Sequence, residues 1–367
     1  MWKNRWLHFI YNIVLLEYEN KKIVMAIDAI RGIFALLIVW HHLGPETSIP
    51  YHCDFGYSIV LFFFILSGFH MAIAWKERIS VIPYRTFLLK RSAKMFPIQW
   101  LMVLLALVIG VEVAAWWTIP LQLTLTQSLV PLWESYFSLL VSSWFLSSLM
   151  FCYLFTYVLL RMALKYRNGF FCLLLCSIIC FVMVLQFLPI SIGRRWLVYI
   201  NPFGRLIDYS LGICMAVYWM NAVKTKNINN ILYISGYTLL ELFFAVLMIG
   251  VLIDVPFSIG KFLDLRYPVV IGFIIVFSLA RGYISKLLSN KYLVYLGSIS
   301  LSIYMFHPIA LHFFSEMVGV IPEWWAILLT YVVIIMSSHL LTHYYIPWGV
   351  KLFHTVTSKF KPSDSFK

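Results

Sequence analysis

Apolar runs long enough to cross a bilayer recur from one end of this 367-residue chain to the other, and that repetition limits the fold more than any other feature. A hydrocarbon core about 30 Å thick needs roughly 17 to 25 apolar residues per helical crossing. Ten such runs lie near 23–43, 57–76, 97–116, 138–161, 169–189, 205–222, 231–253, 266–281, 292–315 and 322–346. None alternates apolar and polar residues as a barrel strand must, and open sheet edges are not tolerated in hydrocarbon. Composition agrees: 62% of residues are hydrophobic and 12% charged, with 30 Phe, 22 Tyr and 14 Trp, more than a soluble core buries. The expected fold is an all-α, polytopic membrane bundle of about ten transmembrane helices, with 266–281 its shortest member.

Lys and Arg in the connections set the orientation. Arg194, Arg195, Arg205, Lys261 and Arg266 fall on one side of the ten-span scheme, and Arg31 lies inside a span. The rest of the 28 fall on the other side, six of them between Lys76 and Lys94. Both termini are therefore expected in the cytoplasm, with 1–22 as an interfacial segment, 23–346 as the transmembrane domain and 347–367 as a polar tail. The formal charge of +13 reflects this bias and attraction to anionic lipid, so no nucleic-acid partner is expected. Cys172, Cys176 and Cys180 share one face of the fifth run. Without His or carboxylate neighbours they are expected as small packing residues at a helix interface, and no metal site is expected.

The first run, "AIDAIRGIFALLIVWHHLG", carries Asp28, Arg31, His41 and His42. Arg31 and His42 are eleven residues apart, only ~20° from three full turns and ~16 Å along the axis, so they share a helix face at different depths. His41 falls about 80° off that stripe. Asp28 has the i, i+3 spacing of an ion pair with Arg31, which offsets part of the cost of burying a guanidinium. Ionisable groups spread along one face of a span mark a polar pathway, and a histidine is suited to general-base work near neutral pH.

These residues resemble the acyltransferase-3 family of membrane O-acyltransferases, whose first span has an Asp-x-x-Arg-Gly start and a His after ten further residues. "IDAIRGIFALLIVWHH" places Asp28, Arg31, Gly32 and His42 in that pattern. In order, "LFFFILSGF" with Ser67 and Gly68, "FLLKRSAKMFPIQW", "NPFGRLIDYSLGI" and "LGSISLSIYMFHP" look like the family's later elements, so the resemblance covers nearly the whole chain. Two departures stand out. The usual Arg-x-x-Arg reads Arg91-Ser-Ala-Lys94, and Leu149 stands where many members carry a Glu.

The resemblance implies acyl transfer, usually acetyl from acetyl-CoA as co-substrate, to a hydroxyl of a surface polysaccharide or its lipid-linked precursor, in a bacterial cytoplasmic membrane. No bound cofactor is expected. His42 would act as base or covalent nucleophile, Arg31 would face the acyl arm or hold a polar cavity together with Asp28, and the basic stretch with Arg91 and Lys94 would meet the CoA phosphates. Lipid contact alone is the plainer reading of that stretch. Ser67 is expected to pack beside Gly68. Tyr304 and His307 lie three apart in the ninth run, as site residues or as an interface pair, and His70 is a candidate for the donor path. Arg205 and Asp208, with Arg194 and Arg195, are expected either to hold an anionic acceptor or to pair with nearby acids. Larger acyl donors, non-glycan acceptors and a proton-coupled transporter or flippase are the alternatives; no half-to-half repeat favours transport.

Overall fold

Backbone groups inside hydrocarbon must satisfy one another, and a long apolar run does this within a single helix. The computed structural model describes residues 25–48, 55–187, 196–223, 231–253, 258–259 and 263–359. In chain order the helices are α1 (25–43), α2 (Gly56–Trp75), α3 (Tyr84–Val108), α4 (Thr118–Thr124), α5 (Trp133–Phe137), α6 (Ser143–Lys165), α7 (Arg167–Phe187) and α8 (Pro202–Val223). They continue with α9 (Ile231–Leu252), α10 (Arg266–Leu279), α11 (Tyr283–Leu288), α12 (Lys291–His312), α13 (Phe314–Val318), α14 (Glu323–Leu340) and α15 (Ile346–Lys359). Ser258–Ile259 and Leu263–Asp264 form a two-residue antiparallel pair.

Among the described residues seven helices are long and apolar enough to cross a membrane: Met25–Glu46, α2, α3, α6, Ile234–Leu252, α12 and the continuous Glu323–Thr357. Arg167–Phe181 and α10 are apolar but shorter. A helix also lies on the expected sixth run, α8, where Arg205 and Asp208 dilute the apolar character.

The bundle is organised around α2. Ile59, Leu61, Phe62, Phe64, Ile65 and Phe69 are fully buried. Two pairs of glycines bring backbones together. A Cβ on Gly68 of α2 would overlap the Tyr209 carbonyl of α8, and one on Gly212 of α8 would overlap the Ile65 carbonyl of α2. Gly297 of α12 meets the Asp28 carbonyl of α1 in the same way, and Gly32 meets the Gly297 backbone. Such small-residue crossings are how membrane helices gain contact where no hydrophobic force draws them together.

Four expectations need correction. The third helix starts at Tyr84, not near 97, so Arg91 and Lys94 are part of the helix rather than of a loop. Residues 347–359 are not a free tail: α14 runs through a π-helical turn, Leu341–Tyr345, into α15. Gly349 of α15 seats against Pro97 of α3, and Phe353 stacks at 6.3 Å on Phe96. Cys172, Cys176 and Cys180 are exposed on α7 and face away from the bundle. Residues 109–142, expected as the outer end of the third run, the connection after it and the start of the fourth, fold back beside α3 and α6. A network of side chains ties them there: Gln99 of α3 donates to the Gln122 carbonyl at 3.1 Å, Gln127 donates to the Ser143 carbonyl at 3.0 Å, and Ser143 donates to Gln122 at 2.5 Å. The expected interfacial segment 1–22 and the last residues from 360 lie outside the described residues.

Candidate functional site

The glycine crossing of α1 and α12 also fixes Arg31. Its Nη1 lies 3.3 Å from Asp28 Oδ1, the i, i+3 pair expected from the sequence, with both side chains about 30% exposed. Its Nε and Nη2 donate to the Gly297 carbonyl at 3.2 and 2.6 Å. A glycine is required there, because any side chain on Gly297 would push away the backbone that carries the accepting oxygen.

At the other end of α1, His42 meets a residue from far along the chain. The His42 and His307 rings lie 5.2 Å apart at 23°. His307, on α12, is 1% exposed, and its Nδ1 is 2.7 Å from the Tyr304 carbonyl. A carbonyl only accepts, so Nδ1 carries the hydrogen and, in the neutral ring, Nε2 is the acceptor. His41 sits 5.1 Å from His42 but turns toward Phe55, at 5.5 Å, and fills the space over Gly56, where a Cβ would lie 2.6 Å from its Nε2. Tyr304 closes the site below: its ring is 5.7 Å from His307, 4.9 Å from Phe145 and 6.5 Å from Phe63. The structure thus brings together three predicted residues, His42, Tyr304 and His307. The aromatic floor of Phe63 and Phe145 was not foreseen, since in the sequence these rings are two among thirty Phe.

The basic element lies apart, on α3. Arg91 does not point into open solvent: its guanidinium lies 4.9 Å from the centre of the Trp75 ring and 5.9 Å from both Phe87 and Tyr153. Lys94, one turn on, is exposed. Leu149 is buried in α6 at 5% exposure. Ser67 is half-buried on α2, next to the crossing at Gly68. A separate cavity of about 620 Å³ opens where α2, α6 and α8 end and α7 begins, lined by Lys76, Tyr166, Arg167 and Met220 among others. None of the predicted site residues lines it.

Arg205 and Asp208 pair at 2.7 Å, and both are 2% exposed. The other guanidinium donors end on the Tyr199 and Val198 carbonyls at 2.8 and 3.1 Å, and Tyr267 donates to Asp208 at 2.9 Å. Buried at 2% exposure and bonded through Nε, Nη1 and Nη2, Arg205 braces the π-helical turn Trp196–Ile200 against α8. Arg194 and Arg195 lie outside the described residues.

Glu241 is a lone carboxylate inside the apolar run "LLELFFAVLMIG", with no local pattern that marks its role. It is 0% exposed on α9 and accepts from the backbone N–H groups of Gly282, Ile284 and Ser285 at 2.9, 3.0 and 3.2 Å and from the Ser285 hydroxyl at 2.5 Å. It satisfies the start of α11, a structural duty. Among the described residues no three His, Cys, Asp or Glu side chains gather as a metal would require.

A family model described as an acyltransferase domain, of the acyltransferase-3 type, matches residues 25–343. That span runs from the first residue of α1 into the π-helical turn after α14. No curated protein and no solved structure matches the chain.

Proposed function

This chain belongs to the acyltransferase-3 family, and on that footing we propose that it moves an acetyl group from cytoplasmic acetyl-CoA to a hydroxyl of a cell-surface polysaccharide or its lipid-linked precursor. The chain crosses a bacterial cytoplasmic membrane ten times with both termini inside, which sets His42 and His307 toward the outer leaflet and Arg91 and Lys94 toward the cytoplasm. Donor and acceptor then approach the site from opposite faces.

The observation that carries this reading is the His42–His307 pair. One imidazole is held in a single tautomer by the Tyr304 carbonyl, and the other stands on the Arg31 stripe. A base oriented by a second group is the arrangement acyl transfer to a hydroxyl needs. As the acceptor oxygen attacks the thioester carbonyl, its proton passes to His42; the C–S bond then breaks and the proton leaves with the CoA thiol. In the covalent alternative an imidazole nitrogen of His42 attacks the thioester and the C–S bond breaks to release CoA; the acceptor hydroxyl then attacks the acetyl carbon, the C–N bond breaks, and the hydroxyl proton is taken up by the freed imidazole. His307 and the aromatic floor hold the imidazole and keep water from competing for the thioester.

The experiment is transfer of radiolabel from acetyl-CoA to an acceptor glycan by the purified protein. It is paired with mass spectrometry of surface glycans in a host lacking the gene. Label on the glycan, and loss of O-acetyl groups on deletion, is the expected result. Transport of an intact solute with no label transferred would reject the reading.

A further inference from the structure

The cavity of about 620 Å³ at one end of the bundle is lined by no residue of the acyl-transfer site. Its level in the membrane follows from helix lengths. α2 and α6 have 20 and 23 residues, ~30 and ~35 Å along their axes, and a hydrocarbon core is about 30 Å thick. Lys76 caps the end of α2, and Leu164 lies at the end of α6. The cavity between them therefore opens where acyl chains give way to headgroups. In the orientation proposed above this is the cytoplasmic leaflet, whose lipids carry negative charge.

The two walls of the cavity differ in chemistry. One carries Leu164, the buried Val217 and Met220; the other carries Lys76, Arg167 and Asn168. The Arg167 guanidinium lies 5.1 Å from the centre of the Tyr218 ring, and among the described residues no carboxylate forms a salt bridge with it. A guanidinium held over a ring keeps the N–H groups of its own plane for a further partner. The Tyr218 hydroxyl donates to Asn168 Oδ1 at 3.0 Å, which orients the amide and leaves its Nδ2 as a donor. Lys76 Nζ has Glu77 at 3.9 Å, a loose contact to a carboxylate that is 80% exposed. Gly169 brings no side chain to the wall: a Cβ there would meet only Tyr166, at 3.8 Å. The first turn of α7, whose N–H groups cannot bond within their own helix, thus lies open beside these donors.

We propose that this cavity holds the headgroup of one anionic phospholipid. Its phosphate meets Arg167, Asn168 and Lys76, and its glycerol and upper chain carbons lie along Leu164 and Met220. Donors outnumber the single exposed acid, so the occupant is an anion. The apolar wall makes it an anion that carries hydrocarbon, since a free phosphate uses the polar wall alone. A zwitterionic lipid would bring its own cation toward Arg167 and Lys76. Bound there, the lipid ties together the ends of α2, α6 and α8 and the start of α7, with no part in acyl transfer.

The test uses the full chain in a neutral detergent containing equal amounts of phosphatidylglycerol and phosphatidylcholine, with native mass spectrometry reading the lipid retained. The wild type should keep one phosphatidylglycerol per chain in preference to phosphatidylcholine. Arg167→Gln and Lys76→Gln should each weaken its retention about tenfold, the loss of one charge-assisted hydrogen bond. Gly169→Leu, which leaves both charges in place, should do the same by filling the space. The two exposed-site variants keep the test decisive if Leu at 169 unfolds the start of α7. The KM for acetyl-CoA should stay at the wild-type value in Arg167→Gln, and sn-glycerol 3-phosphate at equal concentration should not displace the lipid. Retention unchanged in Arg167→Gln and Lys76→Gln would overturn the proposal, as would retention unchanged in a folded Gly169→Leu, which would reduce it to general surface charge. Displacement by glycerol 3-phosphate would make this a free-phosphate site, and a raised KM for acetyl-CoA would give the cavity to the donor; either result rejects the lipid.

Discussion

At the scale of single residues, His42 and His41 are neighbours in sequence with opposite surroundings, and their variants should separate accordingly. His42→Ala is expected to lower acetyl transfer by about 10²- to 10⁴-fold at matched expression, the usual cost of losing a general base. His41→Ala should be far milder, because that ring packs on Phe55 and Gly56 rather than on His307. Equal activity of the two variants would reject His42 as the reacting group, and an acetyl adduct trapped on His42 would decide for nucleophile over base. His307→Asn probes the partner: an Asn N–H can still reach the Tyr304 carbonyl, but the second ring nitrogen is gone, so a folded protein with severely reduced kcat is expected. On α3, Arg91→Ala should raise the KM for acetyl-CoA more than that for the acceptor, whereas Lys94→Arg should keep activity. Equal changes in both KM values would point instead to a packing defect around Trp75. The first-span stripe was legible because helix geometry alone relates Arg31 to His42. That His307 is the partner was not, because no local pattern links α1 to α12.

Between elements, the glycine crossings carry the closest contacts in the bundle. Gly68→Ala and Gly212→Ala place a methyl group on a facing backbone carbonyl, which cannot rotate away. Each should cost about 1 to 3 kcal/mol as overpacking and lower the thermal midpoint in detergent. Gly236→Ala on α9, with no atom in reach of the new methyl, should be neutral or stabilising by up to ~1 kcal/mol through helix propensity. Similar behaviour at all three positions would mean that the crossings do not govern stability. Glu241→Ala removes the acceptor of three backbone N–H groups and a hydroxyl. Its loss should exceed that of an ordinary exposed helix cap, about 1 kcal/mol, because those donors are buried. Gly68 stood out in a family-like motif, yet the sequence did not reveal which helix it would meet, and nothing local marked Gly212 as its counterpart. Glu241 shows the converse: its oddity was visible, but its use depends on α11 lying beside α9.

For the whole molecule, the orientation expected from the distribution of basic residues is checked directly by reporter fusions. Fusions after residues 50, 125 and 320 should read external, and those after 85 and 225 cytoplasmic; a cytoplasmic signal at 50 would invert the site. The sequence by itself determined the helical membrane class, the approximate places of most of the long helices and the polar stripe on α1. Hydrocarbon forces a backbone to bond within a run, and a helix sets its own faces by a fixed rotation per residue. It did not determine that 109–142 folds back on a Gln and Ser network, that the helix after 346 docks on Pro97, that Arg205 is sealed in, or that His42 stacks on His307. Only the tertiary structure decided these. Each depends on which helix faces which, and that choice is made by close backbone approach and by pairing of buried polar groups far apart in the chain, terms to which no local run of residues has access.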